Sequence, residues 1–151
     1  MSDDLKDVEQ RFNALVASLK PQSRKALMRK IGNEISKSQR KRITAEKNPD
    51  GTAFAPRKKP KKIKTAKGRI RARKMFSKLK SARFMKKQVS ANGVEIGYSG
   101  RVGKLAQIHQ QGLTEKHGKK TYHNPQRELL GLTKEDVGLI EREIVEVLAR
   151  G

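Results

Sequence analysis

Cysteine and tryptophan are both missing from the 151 residues. Without cysteine there is no disulfide framework and no thiolate metal site, a composition that suits a reducing cytoplasm. Aromatic residues make up 4% of the chain and apolar residues 34%. That is enough for one modest core, and the length suggests a single domain, 1–151. No apolar run approaches the roughly 20 residues that cross a bilayer, so no membrane contact is expected. The front, Met1-Ser2-Asp3-Asp4-Leu5, lacks the basic start and apolar stretch of a signal peptide. The most informative shortage is of acid: residues 51–94 contain no Asp and no Glu.

What fills that stretch is positive charge. Lys and Arg number 37 against 15 Asp and Glu, a formal net charge of +22. Arg57, Lys58, Lys59, Lys61, Lys62, Lys64, Lys67, Arg69, Arg71 and Arg73 follow one another with few apolar anchors between them. Self-repulsion predicts a mobile basic arm over residues 55–74. These ten cations are candidate contacts to a polyanion or to an acidic partner protein. Lys and Arg on a flexible segment release counterions and bind DNA without reading its sequence. No helix-turn-helix, zinc finger or base-stacking signature accompanies the charge, which argues against sequence-specific recognition. Nonspecific DNA contact and docking onto an acidic partner are equally compatible with the pattern.

Periodicity outlines an α+β fold: N-terminal helices and a C-terminal helix packed on a small antiparallel sheet, with the basic arm outside it. Leu5, Val8, Phe12, Leu15, Val16 and Leu19 recur at helical spacing, and Pro21 is expected to end that helix. Ser23 is the expected cap of a second helix. Its stripe of Leu27, Ile31 and Ile35 fades through Ser38 and Arg42, so its far end is expected to project from the core. Asn48-Pro49-Asp50-Gly51 is a strong turn signal. Met75, Phe76 and Leu79 suggest a short helical turn. Ala91-Asn92-Gly93 marks a hairpin in whose second strand Val94, Ile96 and Tyr98 share a face. Leu105, Ala106, Ile108 and His109 suggest a short helix closed by Gly112, and residues 114–124 read as a loop. The clearest helix comes last. Thr133 and Asp136 approximate a capping box there, and Val137, Ile140, Ile144, Val147 and Leu148 form its buried stripe.

Reactive chemistry finds little footing. His109, His117 and His123 lie eight and six residues apart across a Gly-rich loop with only Glu115 nearby, which is not a metal-binding spacing. His117 and His123 read as solvated loop residues, and His109 as a half-buried residue hydrogen-bonded to backbone. Ser99 has no obvious base, and Gly100-Arg101-Val102-Gly103-Lys104 lacks both the spacing and the hydroxyl of a phosphate loop. Neither an enzyme, nor a cofactor site, nor a metal site is expected.

Three blocks carry a resemblance. They are Asn48-Pro49-Asp50-Gly51-Thr52-Ala53-Phe54-Ala55-Pro56, Ala106-Gln107-Ile108-His109-Gln110-Gln111-Gly112-Leu113 and Pro125-Gln126-Arg127-Glu128-Leu129-Leu130-Gly131-Leu132-Thr133. Their types and order over nearly the whole chain resemble the phage virion morphogenesis family, the tail completion proteins of contractile-tailed phages. Phe54 stands where that family usually has Trp, and Leu129 where it often has an aromatic residue. The resemblance implies a structural virion part that completes the tail and joins it to the head or neck. It further implies a ring of identical subunits, a hexamer, at the head-proximal tail end, meeting tail tube, terminator and neck proteins after assembly in the host cytoplasm. Phe54, Ile108, His109, Gly112, Arg127, Leu129 and Leu130 are the assembly-contact residues this implies. A small nonspecific nucleic-acid-binding protein is the rival reading, favoured by composition alone.

Overall fold

The computed structural model describes residues 2–57, 62–64, 70–72 and 74–150. The fold is α+β. The helices are α1 (Ser2–Ala17), α2 (Pro21–Thr44), α3 (Gly100–Gln111) and α4 (Lys134–Arg150). The strands are β1 (Lys62–Lys64), β2 (Ile70–Ala72), β3 (Lys86–Ser90), β4 (Gly93–Gly97), β5 (Thr114–His117) and β6 (Lys120–His123). Among the described residues the strands pair as three separate two-stranded ladders, β1 with β2, β3 with β4 and β5 with β6.

The chain forms two compact units. The first comprises residues 1–36, 87–96 and 134–151, the second residues 37–86 and 97–133. In the first unit Leu27, Ile31 and Ile35 of α2 and Ile144 of α4 are buried, with Val16, Leu19, Val94, Ile96, Leu139, Ile140, Val147 and Leu148 packed on them. Lys30 and Glu143 pair across it at 2.9 Å, and Lys87 of β3 hydrogen-bonds Asn33. Val137, expected on the α4 stripe, is 43% exposed. Leu139, about 200° round the helix from it, packs on the core, so the covered face of α4 is offset from the expected stripe.

Several local expectations change. Pro21 opens α2 and does not close α1, and the Arg24 N–H donates to the Lys20 carbonyl at 2.9 Å, so Ser23 lies inside the first turn. Proline suits that opening position because its ring presets φ and its missing N–H would have had no intrahelical partner. The far end of α2 does not project. Ile43 is fully buried there, and Gln39 and Arg42 are buried with it. Tyr98 lies beyond the end of β4 in the second unit, whereas Val94 and Ile96 pack in the first. Residues 75–80 form turns and no helix, and Phe76 takes a left-handed φ of 56° that a continuing helix would not allow. Residues 114–123, expected as a loop, form the β5–β6 hairpin with Thr114 opposite His123 and His117 opposite Lys120. Nearly every residue in it is exposed. No apolar alternation therefore announces it.

In the expected arm, Lys62 pairs with Ala72, Ile63 with Arg71 and Lys64 with Ile70. Lys58, Lys59, Lys61, Lys67, Arg69 and Arg73 lie outside the described residues.

Candidate functional site

The second unit is organised around residues 125–133, which form neither helix nor strand. Leu129 at their centre is 0% exposed. A buried irregular segment must still satisfy its backbone groups, and here side chains from other elements do so. Gln110 of α3 grips Leu130 from both sides, its Oε1 accepting from the Leu130 N–H at 2.9 Å and its Nε2 donating to the carbonyl at 2.7 Å. Gln39 of α2 treats Gly131 the same way, at 3.3 and 2.8 Å. Asn48 Oδ1 accepts from the Glu128 N–H at 3.0 Å. Carboxamides thus take the place of a neighbouring strand.

Arg42 completes this substitute ladder. Its Nη1 donates to the carbonyls of Glu128 and Lys47 at 2.7 and 2.8 Å, and its Nη2 to the carbonyl of Leu129 and to Gln39 Oε1, both at 2.7 Å. A buried guanidinium costs several kcal/mol of desolvation, about 3–5 if its partners are removed, so this fan of acceptors is what makes its burial tenable. Arg42 also sits in the last turn of α2, where the helix dipole favours a cation.

The other two blocks converge on the same segment. Gly112 ends α3 at φ 66° and ψ 49°, and the Leu113 N–H returns to the Ile108 carbonyl at 2.9 Å. A Cβ on Gly112 would come within 3.0 Å of the Gln126 backbone nitrogen, so glycine serves both the turn and the approach. Next to it, the Arg127 N–H donates to the His109 carbonyl at 2.8 Å. The Arg127 side chain reaches back to the Asn48–Pro56 block, giving Nε to the Ala55 carbonyl at 2.8 Å and Nη2 to that of Pro56 at 3.1 Å. Gly131 lies so close to Pro49 that a Cβ would meet its Cγ at 2.4 Å. The turn itself is held by Asp50 Oδ1, which accepts from the Thr52 N–H and hydroxyl at 2.9 and 2.6 Å. Those bonds hold the Asp50 carboxyl below its usual range.

Aromatic contacts close one side. The ring of Phe76 meets Phe54 edge-on at 5.8 Å and His109 at 4.8 Å. These contacts hold Phe76 at its left-handed φ, a conformation costly for a bulky residue. His109 is half-buried as expected, but its Nδ1 is buried without a hydrogen-bond partner, and it is the backbone carbonyl of His109 that bonds. Burial lowers the imidazole pKa and the nearby Arg127 lowers it further, against a weaker pull from Glu115. Burial likewise lowers the Arg127 pKa, with Arg57 adding to the effect. Tyr98 keeps its hydroxyl buried and unpartnered, and burial pushes it up to about 12 against Arg42 and Arg40. Tyr98, Ala106, Gln107, Gln110, Leu129 and Leu130 line a cavity of about 260 Å³.

Phe54, Arg127 and Leu129, expected at a subunit contact, are therefore interior residues, 5%, 7% and 0% exposed. They shape the unit from within and have little surface to offer a neighbour. Ile108, His109, Gly112 and Leu130 are half-buried. Among the residues whose side chains are described, the large exposed apolar residues of this unit are Leu105, Leu113, Tyr122 and Leu132. Sequence reasoning missed Gln39, Arg42, Asn48 and Gln110 as structural residues. One signal was available: Leu27, Ile31, Ile35, Gln39 and Ile43 continue a single four-residue spacing, which places a polar residue on a buried stripe.

Among the described residues no cluster of His, Asp and Glu could hold a metal, and no helix is long and apolar enough to cross a membrane. The described side chains form a scaffold in which backbone is gripped by amides and guanidinium groups. Comparison with known proteins gives it a context. The phage virion morphogenesis family matches residues 3–149. The chain is 39% identical over 152 residues to the protein named tail completion protein S of Escherichia phage P2, spanning 98% of this chain and 99% of that one. No solved structure matches. A family match over almost the whole chain makes this chain a member of the phage virion morphogenesis family.

Proposed function

We propose that this protein completes a phage tail, acting as a structural part and not as an enzyme. The carrying observation is its 39% identity with tail completion protein S over nearly the full length of both chains. The geometry supports it: the three sequence blocks build a rigid scaffold beside exposed Leu105, Leu113, Tyr122 and Leu132, the kind of apolar surface that marks a protein contact. The protein assembles as a ring of identical subunits, a hexamer, through head-to-tail contacts that close on themselves. The cavity lined by Tyr98 and Leu130 receives an apolar side chain of the neighbouring subunit. The ring sits at the head-proximal end of the tail in the virion, between tail tube or terminator proteins and the neck, and joins tail to head.

Deleting the gene from the phage that carries it and supplying variants from a plasmid tests this. Leu113→Asp with Leu132→Asp changes exposed side chains only, so the protein should fold, while electron microscopy should show heads and tails that fail to join. Full particle yield with these substitutions would remove the assigned contact. Normal joining in the deletion strain without any plasmid would remove the function itself.

A further inference from the structure

The second unit presents two chemically different stretches. Among the residues of this unit whose side chains are described, exposed large apolar residues fall within 97–133 and none falls within 37–57 or 74–86. That earlier part carries twenty Lys and Arg against two acids, Glu46 and Asp50. Both carboxylates are already engaged, Glu46 Oε1 accepting from the Met75 N–H at 3.0 Å and Asp50 from Thr52. We propose that Lys37, Arg40 and Lys41 of α2, together with Lys78, Lys80 and Arg83 of the turns that follow Met75, form a docking face for the phosphate backbone of duplex DNA.

Structure brings these cations together. Lys37, Arg40, Lys41 and Thr44 are three to four residues apart and so share one side of α2 over about 10 Å. The opposite side holds the buried Gln39, Arg42 and Ile43. The Met75 bond to Glu46 and a bond from Lys80 Nζ to Thr44 Oγ1 at 2.9 Å lay the turns of residues 75–84 against the last turn of that helix. The charges of Lys41, Lys78, Lys80 and Arg83 are not cancelled in doing so. Thr44 is neutral, Arg83 lies 5.4 Å over the ring of Phe84, and no described ion pair includes Lys41, Lys78, Lys80 or Arg83. A protein partner would want an apolar centre in its contact, with the charged groups at the rim. This face has none. A phosphate backbone asks only for cations, and its affinity comes from counterion release. The face lies on described, folded elements and is distinct from residues 55–74. It does not depend on the tail-completion reading.

The test is binding of the full-length protein to a random-sequence duplex of about 30 base pairs, followed by fluorescence anisotropy between about 50 and 200 mM salt. Replacing Lys41, Lys78, Lys80 and Arg83 by Gln should lower the slope of log K against log salt by about 0.9 for each lost phosphate contact, three to four units in all. Affinity at the low-salt end should drop at least about tenfold. Replacing Lys6, Lys25, Arg29 and Arg142 of the first unit removes the same charge and should leave the slope as it was. An unchanged slope in the first variant overturns the proposal, as does an equal loss in the second, which would make the effect one of net charge alone. Equal binding of poly-glutamate, lost in the same first variant, would also overturn it, since the face would then serve an acidic protein. Loss confined to a Lys58, Lys59, Lys61 and Lys62→Gln variant would place DNA binding elsewhere.

Discussion

The two units of this chain solve the problem of folding in different ways. Residues of the first contain eleven Lys or Arg and eleven Asp or Glu; those of the second contain twenty-six and four, so the second carries the whole formal charge of +22. The first buries aliphatic side chains from helices on a regular period. The second also has buried apolar residues, among them Ile43, Phe54, Met75, Leu79 and Leu129, but where the first buries Ser36 and Asp136 it buries Gln39 and two guanidinium groups, Arg42 and Arg127. The difference teaches what such a charge demands. A unit that repels itself gains from interactions that are directional as well as apolar, and a guanidinium fanned over carbonyls places one of its many cations where it binds structure together.

The sharpest break should come in the first unit. Ile144→Asp places an unpaired carboxylate in a purely aliphatic cluster and should cost several kcal/mol, at least about 4, enough to unfold a marginal unit. Lys134→Asp on the exposed first turn of the same helix should leave the melting temperature nearly unchanged. Equal melting of the two variants would mean that Ile144 is not part of the core.

The matching break in the second unit is Arg42→Met. It leaves the carbonyls of Lys47, Glu128 and Leu129 without their donor and should cost about 3–5 kcal/mol. Hydrogen exchange should accelerate at the amides of Glu128, Leu130 and Gly131 while amides of α4 keep their protection. Arg42→Lys should rescue little, because a point ammonium cannot fork to four acceptors. Uniform loss of protection in both units would erase the contrast between them.

A smaller effect is expected at Gly131→Ala. The added methyl must displace Pro49 and should cost about 1–3 kcal/mol through overpacking, read as a lower midpoint in urea. Gly118→Ala, where a Cβ meets nothing within 4 Å but φ is 63°, should cost less, about 1 kcal/mol or below. A larger penalty at Gly118 than at Gly131 would contradict the close approach of Pro49.

The mildest test uses pH. The folded state holds the His109 imidazole below its usual 6.5, so the unfolded chain takes up its proton first as pH falls. Stability should therefore be at its full value above 6.5, decline as pH drops through the lowered folded value and level off below it. His109→Phe should flatten that part of the profile. A urea midpoint measured against pH for both proteins shows the difference.

How much of this was legible depended on whether the physical cause was local. The Leu27, Ile31, Ile35 and Ile144 core follows from helical spacing, and the end of α3 follows from Gly112, because period and backbone freedom are written in neighbouring residues. The hairpin at Ala91 and Asn92 was readable for the same reason. The hairpin through Gly118 was not, since strands exposed on both faces show no alternation. Val137 was misplaced because a helix stripe says which side is apolar without saying where a neighbour stops covering it.

By itself, then, the sequence determined the helices, the aliphatic core of the first unit, the location of the charge and the kinship carried by three blocks. Tertiary structure decided what those blocks are for. Arg42, Asn48 and Gln110 look like surface residues in any local window, and only the four-residue spacing that Gln39 shares with Leu27, Ile31, Ile35 and Ile43 hints at burial. They take up their bonds only because the backbone of residues 128–131, some 20 to 90 positions away, arrives with unpaired N–H and C=O groups at their side chains. A hydrogen bond between distant partners leaves no periodic trace, and only folding can show that the two ends meet.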